Sequence, residues 1–325
     1  MRTHALKGLM DKMRKRKVLF IVNPASAGGR TTLRWNEVVP KLKAANFDYD
    51  VKFTQQRGCG FIFAKEAVVT NDYDVLVSVG GDGTANEIVN GLMSTGANID
   101  KLPALTIFPS GTGSDSVRTL GIPKDLDGFV RVVASNAPKP IDVGVAKFIS
   151  EHDTRRSRYF LNACDVGIGA TVANVVNSMN EGNEKKSGKG KYFRSIVEQV
   201  FKFKAFDVTV VANDEIYDIK QTVIVAICNG MFFGGGVKIS PVSKMDDGIL
   251  ELVASNDVGK IGLMGLVSKV YSGSHVGHPK VKFQRNHNFE IKLEKPQLLE
   301  TDGEVQGVVT EVTFEILPLA LKVLY

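Results

Sequence analysis

Two periodicities divide this chain. From residue 18 to about 134, short runs of Val, Leu, Ile and Phe alternate with longer stretches whose apolar positions recur at helical spacing. The pattern predicts strands at 18–22, 49–54, 74–79 and 104–108, and helices at about 31–45, 60–70, 84–94, 112–120 and 125–135. Strand and helix in repetition mean a largely parallel sheet with helices on both faces. After "SNAPKP" the apolar runs become short, often alternating, and separated by turn residues, at 159–163, 207–211, 222–228, 249–254, 281–284, 289–293 and 313–317. That half reads as antiparallel and β-rich. The expected domains are therefore 17–140 and 141–325, in keeping with a length that exceeds one compact core. One stretch, "MNEGNEKKSGKGKYFRSIVEQVFKFKAF", departs from the β pattern: it is Gly-, Lys- and Glu-rich at first, then helical in spacing from Tyr192.

The clearest interruption lies within "VLVSVGGDGTANEIVNGL", at 75–92. An apolar, β-branched run stops at glycines, Asp82 and Thr84, and then resumes with Ile88, Val89 and Leu92 on one helical stripe. A strand-to-helix turn presents free backbone N–H groups, and glycine lets an anion approach them. Asp82 would repel a bare phosphate, so a cation between them is required. The chemistry expected is nucleotide with Mg²⁺. "NPASAGG" follows the first strand and "PSGTGSDS" the fourth, so three glycine loops fall beyond the carboxyl ends of strands, where ligands gather in such sheets. No Walker A pattern occurs, and the G-x-G in "GIGA" at 167–170 signals close packing only.

Composition adds less. The formal net charge of +6 suggests an anionic partner without choosing among nucleotide, nucleic acid and acidic membrane, and no nucleic-acid recognition motif accompanies the basic residues. Cys59, Cys164 and Cys228 lack metal-like spacing and read as reduced core thiols in a cytoplasmic protein. The basic N-terminus leads into an apolar run too short for a signal peptide, and no segment reaches the ~18 apolar residues of a membrane span, so any membrane contact is peripheral. The run 12–17 is a solvated charge cluster or a lipid-docking segment, and the basic stretch 185–204 is a solvated helix face or a surface for anionic phospholipid headgroups.

Taken together, "VNPASAGG", "VSVGGDGTANEIVNGL" and "FPSGTGSDSVRTLGIP" resemble the catalytic domain of diacylglycerol kinases and their bacterial lipid-kinase relatives. "CNGMFFGGGVKISPVSKMDDGILEL", "SGSHVGHPKV" and "ETDGEV" extend the resemblance to about residue 319. It implies an α/β N-terminal nucleotide-binding domain of phosphofructokinase-like type, a β-sandwich C-terminal domain for the lipid, and an active site in the interdomain cleft. It implies that Gly80, Gly81, Gly83 and Thr84 line the ATP phosphates, with Asp82 on the catalytic Mg²⁺. Asn23, Gly111, Thr112, Gly113 and Asp115 complete the nucleotide pocket, Asp115 also reaching the metal through water. Glu304, from D-G-E, is the implied general base, and Asp247 with the carbonyls of Lys244 and Ile249 an implied structural Mg²⁺ site.

The residues alone also allow Asp115 to cap a helix and Asp247 to sit in an ordinary turn, and they favour packing or surface roles for His275 and His278 over a metal pair. The family pattern is also broken in two places. Ser114 and Ser116 replace an Asn and an aromatic in the fourth-strand loop, and Gly169 stands where relatives carry Asp. The reading is an ATP- and Mg²⁺-dependent kinase, peripherally membrane-associated, converting diacylglycerol to phosphatidic acid. The alternatives are another lipid alcohol such as a sphingoid base or phosphatidylglycerol, a soluble kinase of NAD kinase type, or a non-catalytic regulator. Oligomeric state is open, a homodimer through an apolar strand edge being one outcome.

Overall fold

The computed structural model describes residues 16–110, 114–150, 154–181, 198–199, 202–258 and 260–325. The chain forms two compact units, the first comprising Met1–Ile141 with Leu319–Tyr325 and the second Asp142–Pro318. The last seven residues, given by the sequence pattern to the second domain, thus lie with the first.

Unit 1 alternates β1 (Lys17–Val22), α1 (Arg30–Ala44), β2 (Asp48–Phe53), α2 (Cys59–Thr70), β3 (Val75–Gly80), α3 (Asp82–Met93), β4 (Ala104–Pro109), α4 (Asp115–Leu120) and α5 (Leu126–Ser135). β3 pairs in parallel with β1 and β4, and β1 with β2. β3 is buried along its whole length, as its unbroken apolar run requires of a strand covered on both faces. The register places Val22 beside Val79 and Val79 beside Phe108, so β1, β3 and β4 end level with one another. α2 and α3 touch closely because Gly91 has no side chain: a Cβ there would lie 2.4 Å from the Phe61 carbonyl oxygen. At the other edge of β4, Val323 pairs in parallel with Leu105, and the Thr106 hydroxyl donates to the Leu324 carbonyl at 2.9 Å.

Unit 2 is built from antiparallel pairs. The long β13 (Asn288–Thr301) pairs with β14 (Glu304–Val323), with β7 (Ala163–Gly167) and with β8 (Phe206–Ala212). Beyond β7 follow β10 (Ile224–Cys228), β11 (Leu250–Ser255) and β12 (Val281–Asn286), while β9 (Glu215–Thr222) pairs with β8, and β5 (Lys139–Ile149) with β6 (Arg155–Phe160). Phe160, Phe206, Phe289, Phe314, Val166 and Leu299 belong to its main core. Among the described residues, the helices α6 (Ile168–Glu181) and α7 (Lys260–Ser272) interrupt the strands.

Several of these features depart from the sequence pattern. It places one strand at 159–163; the structure has two, broken at Leu161 and Asn162, whose N–H groups donate to the Asp302 carboxylate instead of a ladder. It gives no strand at β5, where Pro140 interrupts the pattern, and none at the polar β9. About half of the helical pattern from Tyr192 falls outside the described residues, with 198, 199 and 202 helical, and so do 12–15 and most of 185–204. Among the described residues no helix is long and apolar enough to cross a membrane. Cys164 and Cys228 are buried and all three cysteines are free.

Candidate active site

In unit 1 the three loops leave strands that end at one level. Asn23, just past β1, donates its backbone N–H to Val79 at 2.9 Å and its side-chain amide to the Thr84 hydroxyl at 3.1 Å. This ties the first loop to the third-strand loop. Thr84 in turn requires Gly80, since a Cβ on Gly80 would lie 2.4 Å from the Thr84 Oγ1. Gly81 precedes α3 with no side chain capping the helix, and a Cβ there would meet nothing within 4 Å. The start of α3 is therefore open on that side, with unshared N–H groups suited to an anion. The Ser110 hydroxyl, past β4, donates to the Gly80 carbonyl at 3.0 Å, completing the junction of strand ends. Gly111, Thr112 and Gly113 lie outside the described residues.

Asp82 is the first residue of α3, and its oxygens accept the N–H groups of Asp115 and Ser116, each at 3.2 Å. It thus holds the first turn of α4. Each oxygen keeps acceptor capacity for a cation, since an ionised carboxylate offers about four lone-pair positions. Asp115 is buried, and its Oδ1 accepts from Arg118 Nη1 at 2.6 Å. The residue preceding α4 is Ser114, in left-handed conformation at φ 46°, so Asp115 is the first helical residue and not the cap. Glu87, also on α3, accepts the N–H groups of Gly58 and Gly60 at 2.7 and 2.9 Å and so caps α2. Its position in "GGDGTANE" offers no signal of this, because the partner is remote in sequence.

In unit 2 the D-G-E and N-G motifs meet at one set of strand ends. Asp302 and Gly303, at φ 48° and 86°, form the two-residue turn between β13 and β14 that presents Glu304 as the first residue of β14. The Asp302 carboxylate accepts from the N–H groups of Leu161, Asn162 and Ala163 at 2.7, 2.9 and 3.2 Å. The Asn162 carbonyl accepts from the N–H groups of Asn229 and Gly230, and Asn229 Nδ2 donates to Leu161 and Asp142 carbonyls. Gly230 is compelled, since a Cβ would lie 2.2 Å from Asn162 Oδ1. The D-G-E turn and the N-G turn are thus stitched together through Leu161 and Asn162. Asn162, Asn229 and Asp302 carry no role in the sequence reading, although their motifs are visible in it.

At Asp247, where a structural Mg²⁺ is expected together with the carbonyls of Lys244 and Ile249, the neighbouring cation is Arg285. Asp247 Oδ2 accepts from Arg285 Nη2 at 2.8 Å, Asp247 Oδ1 accepts from the Ile249 N–H at 3.2 Å, and Arg285 Nε donates to the buried Glu251 at 3.0 Å. A guanidinium therefore supplies positive charge at Asp247. The loop is fixed further by Asp142, which accepts the Gly248 N–H at 2.7 Å. No group of three or more His, Cys, Asp or Glu able to hold a metal occurs among the described residues. His275 is buried with Nε2 at 2.8 Å from the Ile239 carbonyl, and His278 is half-buried with Nδ1 accepting from the Lys280 N–H at 3.2 Å.

Residues 17–146 match the family described as the diacylglycerol kinase catalytic domain, and residues 162–325, half of the chain, match the YegS C-terminal NAD kinase beta sandwich-like domain. The chain belongs to the diacylglycerol kinase family. It is accordingly a kinase. A diacylglycerol kinase of Staphylococcus haemolyticus is 27% identical over 289 residues, 89% of this chain and 82% of its own. One of Staphylococcus aureus is 29% identical over 301 residues, 91% of this chain and 88% of its own. A crystal structure from Bacillus anthracis, provisionally named a diacylglycerol kinase, superimposes with a TM-score of 0.74 at 27% identity, covering 97% of this chain and 96% of that one. Yeast NADH kinase shares the fold alone, with a TM-score of 0.53 at 11% identity over 96% of this chain and 83% of that one. For a diacylglycerol kinase family member, the tied glycine loops of unit 1 and the stitched turns of unit 2 are the two places where motif and geometry coincide.

Proposed function

We propose that this chain is an ATP- and Mg²⁺-dependent lipid kinase acting at a membrane surface, and that it phosphorylates the hydroxyl of diacylglycerol to give phosphatidic acid. The observation that carries the reading is the level ending of β1, β3 and β4, with Asn23 tied to Thr84 and Asp82 at the head of α3. Gly80, Gly81, Gly83 and Thr84, with Asn23, Gly111, Thr112 and Gly113, line the triphosphate. Asp82 would hold the Mg²⁺, with Asp115 supporting it. The metal, when bound, neutralises charge on the β- and γ-phosphate oxygens. Glu304 takes the proton from the acceptor hydroxyl, which attacks the γ-phosphorus, and ADP leaves. The names of the relatives support diacylglycerol as the acceptor.

The test is transfer of labelled γ-phosphate from ATP in mixed micelles, comparing diacylglycerol, a sphingoid base, phosphatidylglycerol and NAD, each with and without Mg²⁺. Labelling of diacylglycerol that requires Mg²⁺ is expected. Labelling of NAD without any lipid would overturn the assignment, and labelling of another lipid would change the acceptor. Replacing Glu304 with Gln is expected to lower turnover by about 10³-fold while ATP binding persists.

A further inference from the structure

Unit 2 buries two carboxyl groups against each other. Asp165 on β7 and Glu300 on β13 are directly opposite in antiparallel register, so their side chains share one face of the sheet. Asp165 is 0% and Glu300 3% exposed. Gly169, in the first turn of α6, lies against the pair: a Cβ there would be 2.6 Å from both oxygens of Asp165. The Asp165 carboxylate thus fills the space a side chain at 169 would take, and its Oδ2 accepts the Ala170 N–H at 3.2 Å. Glu300 Oε2 accepts the Gly303 N–H at 2.5 Å, within the turn that presents Glu304. Asn177 of α6 donates to the Gly303 carbonyl of the same turn at 3.1 Å.

The pair cannot be doubly ionised at low cost. Burial, then the neighbouring Asp165 and Asp302, push the Glu300 carboxyl well above the usual carboxylate range; burial also raises Asp165, against two amide donors at the start of α6. The other titratable groups facing the pair are the Cys164 and Cys228 thiols, themselves raised by burial and hence neutral. Among the described residues no cation acts on either carboxyl. Asp165 Oδ1 is buried and receives no N–H or hydroxyl donor. A proton on Glu300 supplies that donor. With the helix amides favouring the anion on Asp165, the arrangement is one anion and one acid sharing a hydrogen bond.

We propose that Asp165 and Glu300 are positioning residues for Glu304: a carboxyl pair holding one proton fixes the 302–303 turn against the first turn of α6. The proposal rests on reading Glu304 as the general base. Loss of the shared proton sets two buried anions against each other and releases the turn, so turnover declines at alkaline pH without a change in nucleotide affinity.

The experiment measures kcat and KM for the full chain from pH 6 to 10, with ATP, Mg²⁺ and diacylglycerol in mixed micelles. Glu300→Gln keeps both hydrogen bonds, its amide donating to Asp165 and its carbonyl accepting from Gly303. It is expected to retain at least about a third of wild-type kcat and to lose the alkaline decline, since the titrating proton is gone. Glu300→Ala is expected to lower kcat by roughly 30- to 100-fold with KM for ATP unchanged, the scale of a misplaced catalytic group. A wild-type profile flat to pH 10, an alkaline decline that persists in Glu300→Gln, or a Glu300→Gln enzyme with less than a tenth of wild-type kcat would each overturn the proposal. Should Glu300→Ala fail to fold, the Glu300→Gln profile decides alone. Full turnover by Glu304→Gln would instead defeat the general-base reading, so the two failures are told apart.

Discussion

The two units use acidic residues in opposite ways. In unit 1, Asp82 and Glu87 project from one helix and accept the N–H groups that open α4 and α2. These carboxylates sit where helix ends need an acceptor, and Asp82 keeps capacity for a cation. In unit 2, Asp165, Glu251 and Glu300 lie inside strands and are buried. There each is held by a specific partner: a second carboxyl, an arginine or a turn amide. The first unit therefore puts its acids at the ends of elements, where a ligand can reach them, and the second puts them within the sheet, where they fix the shape of turns.

Exchanging an acid for its amide in each unit should separate the two uses. Asp82→Asn is expected to cause the largest effect, a loss of turnover of about 10³-fold, because charge for the metal is gone while an amide oxygen still accepts from α4. Single-turnover rates beside thermal midpoints check it; a large fall in the midpoint would mean Asp82 acts like the acids of unit 2. Asp302→Ala should do the reverse, leaving three N–H groups of the 161–163 segment without an acceptor and costing about 3 kcal/mol in urea unfolding. Arg285→Met should cost about 2 kcal/mol by leaving Glu251 buried without its cation. With Arg285 supplying the charge at Asp247, EDTA should leave the midpoint of the nucleotide-free wild type unchanged, and a marked fall would point to a structural metal there. Glu87→Ala, removing only a helix cap, should cost about 1 kcal/mol.

The subtlest contrast is one of pH. The folded chain holds the Glu300 proton above the ordinary carboxyl value of 4.5, where the unfolded chain has released it. Unfolding then releases a proton, so this contribution is complete below pH 4.5 and fades as pH rises toward the raised value. Wild type should therefore lose stability relative to Glu300→Gln as pH rises above 4.5 in denaturant titrations. A difference that stays constant would place the proton elsewhere.

What could be read beforehand follows from the same division. The parallel sheet announces itself through continuous apolar runs, and its loops through glycine; even strand ends are recovered within a residue or two at β1, β3 and β4. Gly80 and Gly81 are legible because conformational freedom and open approach are properties of the residue itself. Asp165 and Glu300 are not, since an acid in an alternating strand looks solvent-facing until its opposite number is known. Arg285 likewise reveals its role only when β11 and β12 are paired, which sets it opposite Glu251. The missing Asp at 169 is visible in the sequence, but only the fold places the Asp165 carboxylate in the space that Gly169 leaves.

The return of Leu319–Tyr325 to β4 has a consequence for synthesis. Unit 2 is one uninterrupted stretch, whereas unit 1 begins the chain and is finished only by its last seven residues. On the ribosome, the later-encoded unit 2 has all of its residues before the earlier-encoded unit 1 does. Until residue 325 has been added, β4 presents an unpaired strand edge, the kind of surface chaperones shield and neighbouring nascent chains can capture. The order in which the units can be completed is thus the reverse of the order in which they are begun.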